Sequence, residues 1–134
     1  DFKLQDKVEL TGMLSPEALL AIAKTAYIGV AVPEKEGLNQ YLALPNKFFD
    51  YIHAGLPQLT VDYPEYRKLN KKWEVAVLIS DLAPKRIAAA LNNLLDDTVL
   101  YERLRQNCLK ARESLNWQEE EKKLIAFYQT LFEA

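Results

Sequence analysis

The sequence predicts an α/β fold, a Rossmann-like, doubly wound parallel sheet of about four strands with helices on both faces. Three observations carry that expectation. Short apolar segments recur along the 134 residues, at 8–13, 27–32, 57–61 and 75–80. Segments with helical start and stop signals separate them, and strands alternating with helices imply right-handed crossovers and parallel pairing. The second strand is apolar nearly throughout, as expected of one covered on both faces. The length suits one domain spanning residues 1–134, without internal repeat or linker.

Taken in order, the strand at 8–13 precedes a helix in which Ser15 caps, Pro16 starts and Leu19, Leu20, Ile22 and Ala23 form the apolar stripe. After the strand at 27–32, nothing is periodic between residues 33 and 44. A loop of about a dozen residues is uncommon in a compact domain unless it has a function. That marks Glu34, Lys35, Glu36, Gly37, Asn39 and Tyr41 for attention. The next helix, 45–54, opens on Pro45, whose missing N–H suits a first helical position, and stops at Gly55, which tolerates the left-handed conformation. A strand at 57–61, a polar helix at 64–72, a strand at 75–80 and an amphipathic helix at 84–96 follow. Asp97 or Thr98 caps the next helix, and Asn116 with Glu119 imitates a capping box for the last.

A net charge of −2 with mixed signs argues against a nucleic-acid surface. No apolar run approaches the roughly 18 residues that span a bilayer, and the N-terminus lacks a signal-peptide pattern. A cytoplasmic location is expected. Cys108 is the sole cysteine, so no internal disulfide forms, and its row with Leu104, Ala111 and Leu115 places it in the core. There is no Cys/His cluster, Asp96 and Asp97 read as a solvated helix end, and neither a Gly-x-Gly-x-x-Gly nor a Gly-Lys-Ser/Thr run occurs. No metal and no bound cofactor are expected.

The helix 45–54 is the most informative stretch. At about 100° per residue, Lys47, Asp50, Tyr51 and Ala54 share one side, while Phe48, Phe49 and Ile52 share the other. One side packs and the other is free for chemistry. A phosphate placed before Asn46 and Lys47 would meet unpaired N–H groups, the positive end of the helix dipole and a lysine cation. Asp50, one turn on, can accept hydrogen bonds from sugar hydroxyls. His53, the only histidine, falls nearer Phe49 and reads as a partly buried side chain with one backbone hydrogen bond.

These residues carry a resemblance. Ile28-Gly29-Val30, Pro33, Leu44-Pro45-Asn46-Lys47, Asp50-Tyr51, Ala54-Gly55-Leu56-Pro57 and Asp62-Tyr63-Pro64-Glu65 together resemble the C-terminal domain of GT-B glycosyltransferases, close to family 4. Val8 to Gly12 and Asn116-Trp117 with Tyr128 extend the similarity towards both ends. The resemblance implies a sugar transferase that takes a nucleotide-sugar as substrate, in the crevice beyond the carboxyl ends of the strands. It further implies that Asp50 holds the ribose hydroxyls and that Leu44, Asn46 and Lys47 meet the diphosphate. Where this chain has Asp50, the family usually has glutamate. Many members also carry an earlier glutamate eight positions before, but Leu42 stands there. Glu36-Gly37-Leu38 resembles the opening of that motif fourteen positions before Asp50, which leaves Glu36 and Glu34 as the two candidates for the sugar contact.

The resemblance also implies missing parts: two strands and a helix before Val8, and an N-terminal acceptor domain that carries the catalytic base. The chain is then expected to bind donor without turning it over, and the full-length protein could associate with a membrane. Two competing readings are a stand-alone, non-catalytic α/β module that binds a nucleotide or a protein, and a sugar-nucleotide epimerase of similar architecture. In the strand order 3-2-1-4-5-6, the absent strands would lie between 8–13 and 27–32. The first strand is therefore expected to slide beside the second into a contiguous four-stranded sheet, with a dimer as the other way of closing the gap. Phe127 or Phe132 should be accessible, because the last helix of the family reaches towards the N-terminal domain.

Overall fold

The computed structural model describes Leu4 and residues 6–132; the outermost residues of the expected 1–134 domain lie outside the described residues. Among them the order is α1 (Pro16–Thr25), β1 (Gly29–Ala31), α2 (Leu38–Leu42), α3 (Asn46–Ala54), β2 (Gln58–Val61), α4 (Pro64–Trp73), β3 (Ala76–Ile79), α5 (Pro84–Asp96), α6 (Thr98–Ala111) and α7 (Trp117–Phe132). The sheet is parallel, ordered β1-β2-β3, with Gly29 opposite Gln58 and Gln58 opposite Ala76. The chain is thus α/β, as expected, but with three strands instead of four.

The missing strand is the expected one at 8–13. Residues 8–12 are neither helix nor strand. Gly12 turns the chain at φ +67°, and Leu10 and Met13 are 92% and 100% exposed. A strand needs a ladder partner and an apolar face to rest on; this segment has neither. β1 consequently pairs with β2 alone among the described residues, which corrects the contiguous four-stranded sheet.

The local signals act as the sequence proposes at most other places. Ser15 accepts a hydrogen bond from the Ala18 N–H, and Asp97 accepts one from the Leu100 N–H. Asn116 accepts from the Glu119 N–H at 3.0 Å. Gly55 closes α3 at φ +69°. Pro45 is extended, at φ −74° and ψ 155°, so it precedes the helix and Asn46 is its first residue. Within the expected loop, Leu38–Leu42 winds into the short α2.

Two buried clusters hold the elements together. Phe48 and Ile52 of α3 meet Val61 of β2, Tyr66 of α4 and Cys108 and Ala111 of α6. The Phe48 ring meets Tyr66 edge-on, centroids 5.2 Å apart. Leu59, Leu94 and Leu104 form the second cluster, joining β2 to α5 and α6. The Cys108 thiol lies 3.7 Å from the carbonyl oxygens of Leu56 and Val75, and burial pushes its pKa up to about 12. This is a core cysteine. No described helix is long and apolar enough to cross a membrane.

The packing corrects one detail of the wheel. Tyr51 and Ala54 are half-buried, because α3 also contacts β1 and α1. Gly29 is the reason the Tyr51 ring fits: a Cβ there would stand 2.6 Å from it. Gly29→Ala should therefore destabilise the chain by ~1–3 kcal/mol, the usual cost of overpacking. Urea denaturation would check this, and Gly29→Ala in a Tyr51→Ala background should cost much less. Equal costs in both backgrounds would contradict the contact.

Candidate functional site

α3 presents its other side to a cleft. Phe48 and Ile52 point into the core, while Asn46, Phe49, Asp50 and His53 line the cleft; Phe49, expected on the packing side, stands between the two, and of the expected free side only Asp50 reaches this wall. Leu44 extends this wall before the helix begins. The opposite wall comes from α4 through Glu65, Lys68, Leu69, Lys72 and Trp73, and the third from the turn into α7 through Leu115, Asn116 and Trp117. Glu120 and Lys123 complete it, and the cleft measures about 1040 Å³. Ligand sites run to about 1,000 Å³, so a molecule as large as a nucleotide-sugar can be accommodated.

The charges in the cleft are mostly matched. Lys68 lies 3.8 Å from Glu65, and Lys123 pairs with Glu120. Asp50 has neither an ion pair nor a side-chain hydrogen bond among the described residues. Lys72 is likewise without a carboxylate partner there, and its ammonium lies 5.2 Å from the Trp73 ring centroid. The N-terminus of α3 is equally open. Pro45 supplies no side-chain cap, and no described acceptor takes the N–H of Asn46 or Lys47. A helix start of this kind attracts anionic groups. Backbone donors, a free carboxylate one turn later and an aromatic-backed cation thus line or border one cleft.

The remaining expected residues fall elsewhere. Lys47 is exposed beside the helix start but is not part of the cleft wall. Glu34, Glu36 and Gly37 are exposed on the segment that leads to α2, and they do not line the cleft. That segment is held over the end of the sheet. Tyr63 donates a hydrogen bond to the Pro33 carbonyl at 2.9 Å, and the Tyr41 ring lies 5.2 Å from the Tyr63 ring. Lys35 sits 3.8 Å from the Tyr41 centroid, and the Glu36 N–H donates to Gln40 at 3.1 Å. Burial, then the nearby Glu34 and Tyr41, pushes the Tyr63 phenol above its ordinary pKa. At the end of β2, Asp62 is engaged by Arg67 at 2.7 and 2.9 Å, and those hydrogen bonds hold its carboxyl below the usual range.

The α4 wall was not foreseen. Its signal was present: Glu65, Lys68, Leu69, Lys72 and Trp73 follow three-to-four spacing on a helix whose bounds were legible. Among the described residues no group of three or more His, Cys, Asp or Glu side chains could hold a metal ion. No protein-family model, curated protein or solved structure matches this chain.

His53 behaves as expected of a core-edge histidine, with Nε2 donating to the Leu115 carbonyl at 2.8 Å. This bond ties α3 to the turn before α7, where Asn116 also donates to the carbonyls of Arg112 and Glu113. His53→Ala should lower stability by about 1 kcal/mol, the net value of a typical hydrogen bond. It should also speed tryptic cleavage after Arg112. An unchanged midpoint and cleavage rate would show that the bond does not fasten the turn.

Proposed function

We propose that this chain is the donor-binding portion of a GT-B glycosyltransferase resembling family 4. In this reading it has a Rossmann-like architecture and holds a nucleotide-sugar for transfer to an acceptor bound by another domain. The observation that carries the reading is the open start of α3 with the unpaired Asp50 one turn on, both at one cleft of adequate size. The amides of Asn46 and Lys47 would take the diphosphate oxygens, helped by the Lys47 cation. Asp50 would accept hydrogen bonds from the ribose hydroxyls, and bonds to a charged acceptor are worth about 1.5–3 kcal/mol. Leu44 would pack beside the nucleotide. Glu36, Gly37 and Glu34 could reach the sugar only if the segment over the sheet end turned towards the cleft.

Chemistry needs more than this. Transfer requires a base and an acceptor site, and the reading assigns both to another domain. The chain should then bind donor and release it unchanged. Nucleoside diphosphates are the direct probe. At ~100 times its dissociation constant, the right one should stabilise the fold by about 2.7 kcal/mol. Asp50→Ala should weaken that binding at least tenfold, equivalent to ~1.4 kcal/mol. Lys47→Met should weaken the diphosphate more than the nucleoside. A panel of uridine, guanosine, adenosine and thymidine diphosphates that leaves the melting temperature unmoved would overturn the proposal.

A further inference from the structure

α7 stands apart from the buried clusters: none of its residues is buried, and Phe127 and Phe132 are 59% and 85% exposed, as expected of them. Its first residue is placed differently. Trp117 is 62% exposed, yet it lines the cleft beside Leu115 and Asn116. The turn that carries it is pinned. His53 of α3 donates to the Leu115 carbonyl at 2.8 Å, the Asn116 amide donates to the carbonyls of Arg112 and Glu113 at 3.0 Å each, and the Asn116 oxygen accepts the Glu119 N–H at 3.0 Å. An indole held out to solvent on a fastened turn is a preorganised contact surface, because little ordering is left to be done when a ligand arrives.

We infer that Trp117 is the platform on which the nucleobase of the bound ligand stacks, an assignment that rests on the donor-binding reading above. The order of groups along α3 points to it. Asn46, Asp50 and His53 follow one another along the cleft wall, separated by about 6 and then about 4.5 Å of helix rise. A nucleoside diphosphate whose phosphates meet the helix start and whose ribose meets Asp50 still has its base to place, and the wall runs on through His53 to the turn that His53 holds. The cleft contains a second indole, but Trp73 packs against the core and has the Lys72 ammonium 5.2 Å from its ring centroid. No described ring or cation stacks on Trp117. Its surroundings suit an uncharged ring, since Glu120 and Lys123 neutralise each other and Leu115 is apolar. Every base has a π-face, so stacking of this kind holds a base without choosing among bases and strengthens binding by roughly tenfold or more.

Fluorescence tests this, because Trp73 and Trp117 are the only tryptophans of the chain. In a Trp73→Phe chain, a nucleoside diphosphate from the uridine, guanosine, adenosine and thymidine set should quench the Trp117 emission saturably. Pyrophosphate, which has no base, should bind without quenching it. Trp117→Ala should weaken the nucleoside diphosphate at least tenfold and leave pyrophosphate binding unchanged, which also shows that the fold persists. Trp117→Phe, which keeps a ring, should retain most of the affinity. Pyrophosphate bound as tightly as every nucleoside diphosphate, equal losses of both ligands in Trp117→Ala, or quenching seen only while Trp73 is present would overturn the inference and leave the anion at the start of α3 standing. Binding of neither ligand would overturn it together with the donor-binding reading.

Discussion

Everything in this fold hangs on the burial of β2 over its whole length. Gln58, Leu59, Thr60 and Val61 are all within 1% of complete burial, and among the described residues the strand is the only one paired on both sides. Two polar side chains in so dry a place must be satisfied locally. Thr60 donates to the Ala31 carbonyl at 2.7 Å, reinforcing the β1 edge. Gln58 donates to the Phe48 carbonyl at 3.1 Å, which fastens the first turn of α3 over the sheet, while its own carbonyl oxygen has no described partner. With Phe48 and Ile52 fixed inward and Tyr51 held against Gly29 of β1, Asn46, Asp50 and His53 are left to line the cleft. The position of the cleft follows from the core.

That chain of cause explains which parts could be read in advance. Helix limits were legible because they depend on neighbours in sequence: Ser15, Gly55, Asp97 and Asn116 each satisfy backbone groups within a few residues. The strands at 27–32, 57–61 and 75–80 were legible because apolar runs of that length have few other uses. Residues 8–13 carried the same apolar signal yet formed no strand, since pairing depends on a partner the local sequence does not name. Gly12 at positive φ breaks the extension besides. The Tyr51 orientation escaped the helical wheel for a similar reason. It is decided by Gly29, twenty-two positions away, and a one-dimensional period has no access to that contact.

The site was half legible by the same logic. Asn46 and Asp50 share a wall because one helix carries them, with Leu44 just before its start, whereas Lys68, Lys72 and Trp73 join the site only because β2 brings α4 beside α3. Glu34 and Glu36 sit apart because the extra residues between them and Asp50 are taken up by α2 and held by the Tyr63 hydrogen bond to Pro33. A carboxylate pair along one segment of chain is therefore not a carboxylate pair in space. The turn at Leu115 and Asn116 leads from the cleft into α7, whose Trp117, Glu120 and Lys123 continue the cleft wall.

The central claim is that the free side of α3 receives an anionic ligand at its first turn. Amide chemical-shift mapping during titration with uridine or guanosine diphosphate tests it most directly. The account predicts saturable shifts concentrated at Asn46, Lys47 and Asp50, with smaller ones at Lys72 and Trp117 across the cleft, and none at the α5 residues Ile87 and Leu91. Shifts confined to residues outside the cleft, or none at millimolar ligand, would contradict it.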